Sequence, residues 1–294
     1  METKSLRAAL MVAVLTAVGC NRFTLRPPDT VRVLKDMRYC EGEDADPTYH
    51  RLDLYLPADA GGVPVVVFIH GGGWTGGSRQ KSRYVGWVLA SEGIATAVVD
   101  YRLSPAVKHP AHVEDAARAF AWVHEHIEEY GPRRDRVFLM GHSAGAHLAA
   151  LLALDERYLR KHGLSPSDVR GAVLVSGVYR ISDSIRWGTL RRVFPTDAQV
   201  LRDASPMNHA RRDAPPTRLL YASADLPGLA AQARDLHAVL VEKGACVDLI
   251  RVTPRGHMSI LEGIVRQDDD VRGYVLDFVR NYSQWPVRRS GPRP

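Results

Sequence analysis

The sequence predicts an α/β fold: a mostly parallel central sheet with helices on both faces and a small cap-like insertion. Three observations carry that prediction. The run Val63-Pro-Val-Val-Val-Phe-Ile69 is apolar without alternation, as expected of a strand covered on both faces. Beyond it, strand-like and helix-like runs follow one another, the pattern of a sheet wound through helices. Finally, Val137-Phe-Leu-Met140 breaks off in Gly141-His-Ser-Ala-Gly145, and helix-forming residues from Ala146 to Leu152 follow at once. A strand, a sharp turn and a helix around this G-x-S-x-G pentapeptide thrust the serine hydroxyl outward. A Cβ on either side of so tight a reversal would meet the neighbouring backbone, which explains the glycines.

The elements follow in order. Residues 31–39 and 49–56 partly alternate, as half-buried antiparallel strands do, with an acidic turn (Glu41, Glu43, Asp44, Asp46, Pro47) between them. Strands are predicted over 63–69, 94–99, 136–140, 169–176, 217–223 and 246–252, and helices over 113–130, 144–154, 228–243 and 268–281. Residues 179–214 interrupt the rhythm. They carry Trp187, Phe194, Pro195, Pro206 and many arginines, and read as an insertion above the sheet. No internal repeat or domain-sized linker divides residues 31–283, so one domain is expected. Residues 284–294 are basic and proline-rich, a composition expected to stay disordered.

Composition narrows the function classes. Among 294 residues, 45% are apolar and 24% charged, ordinary values for a globular protein. The formal charge of +6 is spread along the chain and accompanies no nucleic-acid module, so it reads as surface character. Lys4 and Arg7 precede an uncharged run from Ala8 to Gly19 that ends at Cys20. A bilayer-spanning helix needs roughly 20 apolar residues, so this shorter run reads as a signal peptide over 1–19. Thr16-Ala-Val-Gly-Cys20 resembles a bacterial lipobox, with Ala17 where leucine is commoner. The expectation is therefore export to the cell envelope, a lipid on Cys20 and a tether over 20–30. An ordinary cleaved signal or an uncleaved anchor is the plainer alternative. Cys40 and Cys246 fall on strands placed far apart in the sheet and are expected as free thiols. No C-x-x-C or H-E-x-x-H spacing suggests a metal, and no cofactor is expected.

Ser143 is inert unless a base takes its proton and donors stabilise the charge that develops. In an open parallel sheet such groups come from loops at the carboxyl ends of strands. Three loops qualify. His70-Gly-Gly-Gly-Trp74 lets the backbone pass close to a ligand, so the amides of Gly72 and Gly73, with that of Ala144, are candidates for an oxyanion hole. Asp225 follows the strand over 217–223 and is placed to orient an imidazole, whereas Asp235 and Asp248 fall within a helix and a strand. His257 lies in a Pro/Gly segment past the last strand and is the candidate base. His124, His126 and His237 fall on helices, His109 and His112 flank a proline loop, and His142 and His147 adjoin Ser143 without an easy path back to its hydroxyl. The order Ser143, Asp225, His257 is that of an α/β-hydrolase.

Several motifs in sequence support a family resemblance: His70-Gly-Gly-Gly-Trp74, Asp100-Tyr-Arg-Leu103, His109-Pro110, Glu114-Asp115, Gly141-His-Ser-Ala-Gly-Ala-His-Leu148 and His257-Met-Ser259. Together they resemble the α/β-hydrolase esterases of the hormone-sensitive-lipase-like and kynurenine-formamidase-like (BD-FAE-like) branch. The resemblance implies Ser143 as nucleophile, His257 as base, Asp225 as orienting acid, and Gly72, Gly73 and Ala144 as oxyanion donors. Trp74, in place of phenylalanine, leans toward formamidase or small-ester chemistry. Asp100, Arg102 and Asp115 are expected to brace strand-to-helix loops. The resulting expectation is a serine carboxylesterase acting on small or medium esters through an acyl-enzyme. Arylformamidase and carbohydrate acetyl or feruloyl esterase activities share the machinery, and a non-catalytic envelope lipoprotein is the reading from another class.

Overall fold

A computed structural model describes residues 28–181 and 189–283. Residues 1–19, Cys20, most of the tether, Trp187 and the basic tail lie outside them. Eight strands form one sheet: β1 (Val31–Arg38), β2 (Arg51–Pro57), β3 (Val65–Ile69), β4 (Ala95–Val99), β5 (Val137–His142), β6 (Gly171–Val175), β7 (Thr217–Ala224) and β8 (Val247–Gly256). Their order across the sheet is β1-β2-β4-β3-β5-β6-β7-β8. The first two strands pair antiparallel and β2 meets β4 antiparallel, while every pairing from β4 to β8 is parallel. Strand β5, which leads into Ser143, thus lies in the middle, and β8 forms one edge.

The helices are α1 (Arg83–Ser91), α2 (Ala111–His126), α3 (Ala144–Leu154), α4 (Glu156–Arg160), α5 (Ala198–Asp203), α6 (Leu229–Glu242), α7 (Ser259–Glu262) and α8 (Asp270–Ser283). Two cores separate cleanly by strand alternation. Val137 and Leu139 of β5 face the core shared with α2, α3 and α6, whereas Phe138 and Met140 face the one shared with α1 and α8. Every residue of α3 is buried, so this helix is apolar all round and begins directly behind Ser143. Gly145 lets it sit so close. A Cβ there would stand 2.0 Å from the Ile69 carbonyl oxygen and 2.6 Å from that of His70.

Helices α1, α4, α5 and α7 are absent from the sequence prediction, and β8 runs longer than predicted. Helix α1 is not foreseen, because Gly86 weakens its helical signal; a Cβ at Gly86 would come within 2.3 Å of the Tyr55 ring, so the glycine admits the helix onto β2. Strand β8 runs on to Gly256, past Pro254, with Ala224 opposite Gly256. An edge strand tolerates proline because no outer neighbour needs its amide. Of the insertion, Tyr179, Ile181, Phe194, Leu201 and Ala204 belong to the core on the α3 side. Cys40 and Cys246 are free and stand at opposite edges of the sheet. Among the described residues no helix is long and apolar enough to cross a membrane.

Candidate active site

Ser143 caps the N-terminus of α3 with φ 54° and ψ −118°, a backbone region that a residue bearing a Cβ occupies at a cost. The surroundings hold it there. Its amide donates to the Val175 carbonyl at 2.9 Å, and its own carbonyl accepts from the His147 amide at 3.1 Å. The hydroxyl Oγ lies 2.9 Å from Nε2 of His257. On the far side of that ring, Nδ1 is 2.7 Å from Oδ1 of Asp225. An ionised carboxylate only accepts, so Nδ1 carries the proton and Nε2 is free to accept from Ser143. Three loops leaving β5, β7 and β8 therefore meet at one point.

Asp225 is saturated with donors. The Leu226 amide donates to Oδ1 at 2.9 Å, while Oδ2 accepts from Ser176 Oγ at 2.5 Å and from the Ala222 amide at 3.2 Å. Burial by itself raises this carboxyl, yet the hydrogen bonds from His257, Ser176, Ala222 and Leu226 hold it below the ordinary carboxylate value. Ser176 follows β6 directly, is buried, and also adopts a positive φ of 48°. Nothing in residue spacing singles it out; only its place beside β7 makes it a partner of the acid.

The glycine loop lies against the serine. A Cβ on Gly71 would be 3.3 Å from the Ser143 Cβ and 2.9 Å from the His142 carbonyl. Gly72 and Gly73 have φ of 122° and 60°, values that glycine adopts freely. For Gly72 the constraint is also internal, since a Cβ would strike the Gly76 carbonyl at 2.2 Å. The loop is thus glycine-rich partly to close on itself. Ala144 supplies the first amide of α3, one of the donors a helix leaves unpaired at its start. Trp74 is buried: its Nε1 donates to His147 Nδ1 at 3.2 Å, and its ring meets Phe194 edge-on at 5.0 Å.

Asp100, Arg102 and Asp115 brace the neighbouring loops. Arg79 is buried and donates to Asp36, Asp53 and Asp100, while Arg102 holds Asp115 through Nε at 2.8 Å and Nη2 at 2.7 Å. Opposed by burial, the bonds from His50 and Arg102 hold Asp115 below its ordinary value. Among the described residues no group of His, Cys, Asp and Glu is arranged to hold a metal ion.

The chain is similar to known proteins in both sequence and fold. Residues 52–168 match the BD-FAE family model. A tributyrin-phosphonate form of esterase B from Lactobacillus rhamnosis superposes with a TM-score of 0.74 at 25% identity, covering 88% of each chain. The chain is an α/β-hydrolase. Esterase LipQ of Mycobacterium tuberculosis is 30% identical over 238 residues, 74% of this α/β-hydrolase and 55% of LipQ. Kynurenine formamidase of Danio rerio is 27% identical over 250 residues, 83% of this chain and 81% of that enzyme. This α/β-hydrolase spans about half the length of the curated mycobacterial relatives it matches.

Proposed function

We propose that the protein is a serine carboxylesterase that cleaves small or medium carboxylic esters through an acyl-enzyme. The observation that carries this reading is the continuous hydrogen-bonded chain from Ser143 through His257 to Asp225, at 2.9 Å and 2.7 Å. As Ser143 Oγ attacks the ester carbonyl, His257 Nε2 takes its proton and Asp225 stabilises the resulting imidazolium. The amides of Gly72, Gly73 and Ala144 are the proposed donors to the oxyanion. When the tetrahedral intermediate collapses, the C–O bond to the alcohol breaks and the alcohol leaves with the proton from His257. Water then attacks the acyl-enzyme by the same route, regenerating Ser143 and releasing the acid.

The test is hydrolysis of p-nitrophenyl acetate together with labelling by a fluorophosphonate probe. Both are expected for the wild type and lost in Ser143→Ala; a wild type that neither turns over nor labels ends the proposal. Formamidase activity is a second reading, favoured by the match over 81% of the Danio rerio enzyme. Assaying N-formylkynurenine beside acetylated sugars and an acyl-length series separates the options. We further propose, from the sequence alone, that the protein is exported and lipid-anchored through Cys20 in a bacterial envelope. Metabolic labelling with an alkyne fatty acid, abolished in Cys20→Ala, is the expected result; label retained in that variant contradicts it.

A further inference from the structure

We infer that His142, the residue before the nucleophile, is a positioning residue that holds the backbone of His257 so that its imidazole reaches Ser143. The inference rests on His257 being the base proposed above. The structural problem it answers is one of reach. His257 leaves β8 at the edge of the sheet, while Ser143 stands at the end of β5, with β6 and β7 between. Three inter-strand spacings amount to about 14 Å. The segment that crosses this gap begins one residue after the end of an edge strand, which has a neighbour on one side only.

His142 supplies a tie at the far end of that span. Its Nε2 lies 2.8 Å from the carbonyl oxygen of His257, and a carbonyl can only accept, so Nε2 carries the proton and donates. The two rings also touch, with centroids 4.8 Å apart and planes 40° apart. His142 is itself buried in an interior strand. It is the last residue of β5, paired with Val175 of β6, and its ring is buried with Gly71 against Nδ1, where a Cβ would stand 3.0 Å away. Burial pulls the imidazole down to about 4, so near neutral pH it is uncharged and places no positive charge beside His257. A donor on an interior strand thus grips the main chain of the base, not its side chain, leaving both ring nitrogens of His257 to Ser143 and Asp225.

The test compares His142→Gln with His142→Asn. Both are polar amides, but only the glutamine reaches about as far as an imidazole Nε2. His142→Asn is expected to lower kcat for p-nitrophenyl acetate by about 10- to 100-fold with KM changed less than about 2-fold, because misplacing a reacting group by about 1 Å costs that order. His142→Gln is expected to keep kcat within about 3-fold of wild type, with both melting temperatures near wild type. Equal kcat in Asn, Gln and wild type overturns the inference, as does equal impairment of both variants at native melting temperature. Should the wild type prove inert to esters and fluorophosphonate, the esterase reading fails separately. The readout is then the low-field NMR signal of the His257 Nδ1 proton: preserved in His142→Gln but broadened in His142→Asn in support, unchanged in both or broadened in both against.

Discussion

Acidification should unfold this protein well above the pH at which carboxylates titrate. Burial pulls His109, His112 and His142 down to about 4 and His147 to about 3, from the ordinary value of 6.5. The neighbours leave little room for a second proton. His147 accepts from Trp74 at Nδ1 and donates to the Ala204 carbonyl at Nε2, 2.7 Å away, while His112 Nε2 bonds Ser104 Oγ at 3.0 Å. Charged and titratable groups around His109 are Glu114, Asp203, Arg157 and Asp155, and those around His142 are His257 and Asp225. The sign follows from proton counting. Below pH 6.5 the unfolded chain binds protons that the folded chain refuses until about pH 4, so stability is lost as pH falls through that window. From pH 7 to pH 5 each histidine accounts for about 1.8 kcal/mol, roughly 7 kcal/mol for the four. That is comparable with the whole stability of a typical domain, about 5–15 kcal/mol. Urea unfolding at pH 7, 6 and 5 measures the loss, and unfolding at pH 5 should take up about 3.5 protons. A loss below about 2 kcal/mol, one histidine's share, refutes the assignment of four buried neutral imidazoles.

Three substitutions test the site and its scaffold. Asp225→Asn keeps the shape but removes the charge that faces His257 Nδ1, and kcat should fall by about 10² to 10⁴ with the melting temperature little changed; residual activity above a third of wild type would contradict the acid's role. Ser176→Ala removes one of the donors that hold the Asp225 carboxyl low, so that carboxyl should titrate at a higher pH in the variant, read from the pH profile of its carbon-13 NMR signal. A pH profile that stays in place removes Ser176 from the charge balance. Gly145→Ala drives a Cβ into the Ile69 and His70 carbonyls and should lower stability by at least about 1–3 kcal/mol, read from the urea midpoint; an unchanged midpoint means that α3 can shift away at no cost.

Much of this molecule is local in origin and therefore readable from its sequence. The bounds of α3 follow from the unbroken helix-forming run behind Gly145, and β3 follows from a run apolar enough to be covered on both faces. Ser143, Asp225 and His257 stand out because each lies in a segment that follows a strand, and strand ends on one edge of a parallel sheet converge. What the sequence leaves open depends on partners far along the chain. Gly86 reads as a helix breaker until Tyr55 is seen against it, and His142 reads as a bystander until its Nε2 is seen 2.8 Å from a carbonyl 115 residues away. Ser176 carries no signal of its own, since its hydroxyl matters only where β6 lies beside β7. Periodicity records which face of an element is buried, so the sequence by itself determined the layers, the turn at Ser143 and the segments that carry Asp225 and His257. The direction and length of a hydrogen bond between distant segments are set only when the sheet brings those segments together, so the tertiary structure alone decided which side chains bond to His257 and Asp225.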